Sequence, residues 1–153
     1  GEAFLDMRPS DMHPQSLLME TTWVCEWFRR VLQVASQADA PRLVVVDRSP
    51  FSAVLYAHKG YLLDDVIQAH IQEVAAHGVD IVTAYVDVDA DVLWSRIQAR
   101  LAAEPERERY NEGDRQWMER VVQFYNSREW SLRVTNNEPD AIDAVRDRLV
   151  LML

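Results

Sequence analysis

Cysteine is almost missing from this chain. Cys25 stands alone, so no internal disulfide forms, and a reducing intracellular setting, cytoplasm or organellar matrix, is expected. No apolar run approaches the roughly twenty residues of a membrane-spanning helix, and the amino end carries no signal-peptide pattern; a soluble protein without a membrane partner is expected. Lysine occurs only at Lys59, and the formal charge is −9. Affinity for nucleic-acid backbone rests on Lys and Arg neutralising phosphates, so this balance argues against polymeric nucleic acid, though not against a small anion in a local basic pocket. Glycine is scarce and scattered, at positions 1, 60, 78 and 113. The histidines, His13, His58, His70 and His77, show neither metal-ligand spacing nor a Ser-His-Asp grouping.

What is present describes a folded domain. The 153 residues are one domain's worth, and a hydrophobic fraction of 48% supplies a core. The pattern centres on Arg42–Ser52. Leu43-Val44-Val45-Val46 is a continuous apolar run, the mark of a strand covered on both faces in a parallel sheet. Asp47-Arg48-Ser49 follows, and Pro50 starts a helix after a serine cap. Upstream, Ala3-Phe4-Leu5 within Glu2–Asp6 reads as the tail of a strand and Met7–Pro14 as a loop. Leu17–Val34 has the apolar spacing of a helix, and Ala35–Pro41 is a connection. Downstream, helices are predicted over Pro50–His58, Asp64–Ala76, Ala90–Leu101, Asp114–Trp130 and Ala141–Leu151. Strands are predicted over Asp80–Val86 and Leu132–Thr135, with a polar segment over Ala102–Gly113. This alternation predicts an α/β fold, a three-layer sandwich with a mostly parallel sheet, in one domain over 1–153 with a lid at 102–113.

In open α/β sheets, ligands sit outside the carboxyl ends of strands, where Asp47 and Arg48 are expected. An acid there serves a metal or takes a hydroxyl proton, and an arginine grips phosphate oxygens. The plainer reading is an acid near a helix start, its salt-bridge partner and a capping Ser49. Trp23 and Trp27, four apart, suit packing before they suit a ligand platform. Asp87, Asp89 and Asp91 suggest a cation loop, yet an EF-hand starting at Asp87 needs Gly and Glu where Val92 and Gln98 stand. These acids are better read as closing a strand near a helix start. Arg96 and Arg100 lie four apart, followed by Arg107, Arg109 and Arg115. They suit a flap that closes on a transferring phosphoryl group. They suit equally a solvated segment paired with Glu104, Glu106 and Glu108.

Together, Asp47-Arg48-Ser49 with Ser52, the series Arg96-x-x-x-Arg100, Arg107 and Arg109, the helix ending Phe124-Tyr125-Asn126 and the late strand Leu132–Thr135 resemble the P-loop nucleoside and nucleoside-monophosphate kinases. Within them the likeness is to the deoxynucleoside kinase and thymidylate kinase group, and it covers nearly the whole chain from Leu17. It implies ATP-dependent phosphoryl transfer to a (deoxy)nucleoside or nucleoside monophosphate, with ATP and Mg2+. It implies that Arg48 contacts the substrate or the transferred phosphate, and that Asp47 assists magnesium or the 5′ hydroxyl. Arg96, Arg100, Arg107 and Arg109 become lid residues around the ATP phosphates. Trp23, Trp27, Ser49 and Ser52 become the substrate pocket, and a homodimer is implied.

The chain departs from that family at its phosphate cradle and at its second-strand acid. The phosphate cradle G-x-x-x-x-G-K-[ST] has no counterpart, because four scattered glycines and a lone Lys59 cannot form it. The second-strand acid of the family has only Asp6 or Glu2 as a match. The expected fold is therefore kinase-like but lacks the first strand and its phosphate loop. A missing central strand leaves two rows of backbone groups unpaired. Gly1 in place of Met favours sequence missing upstream; a second chain filling the gap and a changed strand order are the other solutions. The alternative function is a non-catalytic kinase-like binding or scaffold protein that has lost its ATP loop.

Overall fold

The computed structural model describes residues 8–37 and 43–138, with 143, 146, 147 and 151; at 109 and 110 it describes the backbone alone. The predicted strand tail at Ala3-Phe4-Leu5, most of the closing helix Ala141–Leu151 and part of the connection at 35–41 lie outside the described residues. The chain divides into two compact units, Gly1–Ile81 and Val82–Leu153.

The first unit is built on helix α1, Leu17–Ser36. Ser16 caps it, its hydroxyl accepting from the Met19 amide at 3.3 Å. Its apolar stripe buries Met19, Val24 and Phe28. The short helix α2, Ser52–Tyr56, a 3-10 turn over Gly60–Leu63 and helix α3, Asp64–Ala75, close around that stripe. Phe51, Ala53, Ala57, Leu63, Ile67 and Val74 join Val24 and Phe28 in one core, and Pro50 is fully buried beneath the turn that precedes α2. The Gln15 carbonyl accepts from the His58 amide at 3.0 Å, tying the end of α2 to the start of α1.

In the second unit, strand β1, Ala84–Asp87, pairs in parallel with strand β2, Leu132–Thr135, in the register Ala84↔Leu132 to Asp87↔Thr135. A parallel pair needs a long crossover. Helix α4, Ala90–Ala103, a 3-10 turn over Pro105–Tyr110 and helix α5, Arg115–Asn126, supply it. Asp114 caps α5, accepting from the Gln116 amide at 2.8 Å. Tyr85 of β1 stacks on Tyr125 at 5.9 Å and Trp130 at 5.6 Å, which packs the end of α5 over the strand pair.

The expected three-layer sandwich with a mostly parallel sheet is not formed: the described residues are mainly helical, with two short parallel strands. The difference lies at Leu43–Val46. This run is not a strand and belongs to no sheet among the described residues. Its side chains are 61%, 49%, 79% and 48% exposed, the opposite of a strand covered on both faces. An apolar β-branched run becomes a central strand only when neighbours pair with its backbone, and among the described residues strand pairing is confined to β1 and β2. Two helices are also shorter than their spacing predicts. Helix α2 keeps only Ser52–Tyr56, so His58 and Lys59 fall beyond it, and Lys59 turns the chain at φ 60°. Helix α5 stops at Asn126, after which the Trp130 indole donates to the Tyr125 carbonyl at 2.7 Å.

Candidate functional site

The Asp47-Arg48-Ser49 turn is fixed from below and open above. Pro50 and Phe51 are sunk in the core, and the Ser52 amide donates to the Ser49 carbonyl at 3.0 Å. The Ser49 hydroxyl accepts from the Phe51 amide at 3.3 Å, a local serine turn ahead of α2, whose own cap position, Phe51, makes no side-chain capping bond. Ser52 is 6% exposed. Asp47 and Arg48 are exposed on the outer side of this turn.

Arg48 holds φ at 68°, a left-handed backbone that costs a residue with a β-carbon about 1 kcal/mol or more. One contact that secures it is the Trp27 indole, which donates to the Arg48 carbonyl at 3.2 Å. Trp27 sits edge-on to Phe28 at 5.0 Å, so the ring that grips the turn is itself locked to the core. Trp23 is partly buried against the same core. Both tryptophans thus pack on the core, and Trp27 also holds the turn.

Glu20, in the first turn of α1, is the residue that pattern reading missed. Burial drives its carboxyl up from the ordinary carboxylate range to about 7, while the Arg48 charge acts in the opposite sense and holds it down. A half-buried acid and a guanidinium in electrostatic reach of each other thus flank the turn. The missed signal was spacing. Glu20, Trp23 and Trp27 follow at three and four residues, which puts the acid on the tryptophan stripe.

That environment has a measurable consequence. In the folded chain Glu20 holds its proton to about pH 7, against an ordinary value of 4.5, so its favourable contribution is complete below about pH 4.5 and is lost as the pH rises through 7. Glu20→Gln removes this dependence. After allowing for solvent screening of a half-exposed group, urea unfolding should find the variant about 1–2 kcal/mol more stable than wild type above pH 7. The two should converge towards pH 4.

The predicted lid arginines belong to the second unit. Arg96 donates to the Asn136 carbonyl at 2.7 Å and the Asn137 carbonyl at 3.1 Å, holding the segment after β2. Arg107 forms a two-pronged pair with Glu112, at 2.8 and 2.7 Å, and also meets Glu104 at 3.3 Å. The Glu112 hydrogen bond holds the Arg107 guanidinium above its usual value. Arg115 bridges Asp91 at 2.7 Å and Glu119 at 3.2 Å. Arg100 is exposed and makes no ion pair among the described residues. The side chain of Arg109 lies outside them. Asp87 pairs with Arg133 at 3.6 Å, and Asp89 caps α4 without a side-chain hydrogen bond. Among the described residues no three acidic, histidine or cysteine side chains converge on a metal position.

The structure thus brings Glu20, Trp27 and Arg48 together in the first unit, and commits Arg96 and Arg107 to partners within the second. No helix among the described residues is long and apolar enough to cross a membrane. No family model matches the chain, and neither does any curated protein or solved structure.

Proposed function

We propose that the protein transfers a phosphoryl group from ATP to a (deoxy)nucleoside or nucleoside monophosphate, with the Asp47–Ser52 turn and the Glu20 side of α1 as the acceptor site. The observation that carries this reading is the strained, exposed Arg48 held by Trp27 beside a carboxyl near neutrality. Strained backbone and displaced acids gather where a structure serves chemistry rather than stability. Phosphoryl transfer asks mainly for positioning and for charge on the transferring group. Arg48 provides a fork of donors for phosphate oxygens.

Glu20 suits the proton. With a nucleoside acceptor, its carboxylate takes the hydrogen of the hydroxyl as that oxygen bonds to phosphorus and the bond to the departing ADP breaks; a monophosphate acceptor attacks through an ionised phosphate oxygen and needs no base. A base near neutrality is best matched to that transfer. Mg2+, when bound, neutralises charge on the ATP phosphates. Magnesium is commonly held by one or two carboxylates together with phosphate oxygens, which the exposed Asp47 fits as a single ligand. A reducing intracellular compartment suits this chemistry and the lone Cys25.

The commitment of Arg96 and Arg107 to Asn136, Asn137, Glu104 and Glu112 favours a second reading, a non-catalytic kinase-like binding protein. One experiment separates the two. The chain is incubated with ATP, Mg2+ and a mixture of nucleosides and monophosphates, following label transfer and the melting temperature together. Transfer supports the kinase reading. A stabilising shift with no transfer supports the binding reading, and neither response rejects both.

A further inference from the structure

A separate cavity of 290 Å³ opens in the first unit between α1 and α3, and the phosphoryl-transfer reading makes no use of it. Its floor is core. Phe28 is 4% and Val74 is 7% exposed, and Val79 packs against the same cluster. Walls set by a packed core are preformed, and the volume is near the lower end of small-molecule sites, about 300–1,000 Å³. We infer that this cavity binds a small arylalkyl ammonium, a protonated primary amine carried on a flat aromatic body.

The polar lining chooses the charge. His70, Glu73 and His77 recur at three and four residues along α3 and its end, so they share one face. The Nδ1 of His70 lies 2.6 Å from the Val66 carbonyl, and the Nδ1 of His77 lies 2.8 Å from the Glu73 carbonyl. A carbonyl only accepts, so Nδ1 carries the proton in each neutral ring and Nε2 is left as an acceptor. Glu73 is exposed and pairs with no cation among the described residues. The Glu73 carboxylate, with a ring acceptor one turn to either side of it, favours an ammonium over an acid. The acidic whole-chain balance of −9 favours a cation in the same direction.

The apolar lining chooses the body. The rings of Phe28 and His70 lie 4.9 Å apart and tilted by 33°, an aromatic wall that suits a flat ring. Leu32, 56% exposed, closes the side towards solvent. A metal ion is a poorer occupant, because no three ligating side chains converge among the described residues.

Calorimetry of the full chain with tryptamine, in the presence of a chelator, tests the assignment. Tryptamine should bind saturably, and tryptophol, the same body with a hydroxyl in place of the amine, about tenfold more weakly. Glu73→Gln, at an exposed position that leaves the fold alone, should lose about the same factor for tryptamine and nothing for tryptophol. Leu32→Trp fills the cavity from the solvent side and should abolish binding, while unchanged circular dichroism shows that the chain still folds. Absence of saturable heat, equal affinity for amine and alcohol, or indifference to Leu32→Trp overturns the proposal. So does sedimentation showing a dimer that Leu32→Glu dissolves and tryptamine does not affect, which gives the face to a second copy of the chain.

Discussion

On the proposed phosphoryl-transfer reading, Arg48→Ala is expected to lower kcat by about a thousandfold, the scale on which an arginine that meets developing charge on a transferring phosphoryl group acts. The side chain is exposed, so its removal leaves no cavity, and Ala inherits the same left-handed backbone at φ 68°. Stability should therefore move by less than about 1 kcal/mol, and the loss is one of chemistry. If Arg48 only held the acceptor before reaction, KM would rise with kcat unchanged; a fall in kcat marks charge met in the transition state. Arg48→Lys restores part of the rate, because an ammonium keeps the charge and loses the two-pronged geometry. A second effect accompanies the first. Arg48 holds the Glu20 carboxyl down, so without it burial acts unopposed and the low-pH limb of the rate profile moves to higher pH. A rate within about threefold of wild type, with that limb unmoved, would remove Arg48 from the chemistry altogether.

Gly60→Ala costs the first unit about 3 kcal/mol or more, the upper range for forcing extra volume into a packed site. A β-carbon at position 60 falls 2.3 Å from the Val54 carbonyl oxygen and 2.7 Å from that of Ala53. Both atoms are backbone of α2, and Ala53 is fully buried, so neither can swing aside as a flexible side chain would. Relief requires α2 to lift off the 3-10 turn over Gly60–Leu63, which also disturbs Leu63 and Ile67 in the core. Gly78→Ala is the matched control. Nothing lies within 4 Å of its added carbon, but its φ of 81° makes the change cost about 1 kcal/mol through the backbone alone. Urea unfolding followed through Trp23 and Trp27 reports the first unit. Equal costs at the two positions would show that α2 yields and that the close approach is soft.

The two glycines illustrate how far the sequence could be read. Gly60 reads in the sequence as a helix stop, but α2 ends at Tyr56 and Gly60 opens the following 3-10 turn; its reason is the approach of two carbonyls from α2, which no local pattern announces. The α1 helix, the Asp114 cap and the strand Leu132–Thr135 were legible because spacing, capping chemistry and β-branched composition act within a few residues. The strand reading of Leu43–Val46 failed because sheet membership depends on a partner elsewhere. Glu20 was overlooked because a glutamate on a helix looks like solvated surface until burial and Arg48 act on it. The lid arginines were legible as candidates for pairing, but Glu112 as the partner of Arg107 was not, since the turn over Pro105–Tyr110 has to form first.

By itself, then, the chain's order of residues determined about where most of its helices run, where its acid–arginine turn falls, and that these 153 residues hold a single cysteine and no glycine-rich phosphate loop. Those properties follow from composition and from interactions between near neighbours. Only the tertiary structure decided which apolar run pairs as a strand, which arginines are committed, and that Glu20 shares the turn with Arg48 and Trp27. Burial and long-range hydrogen bonding set those outcomes, and both are properties of chain segments meeting rather than of any one segment.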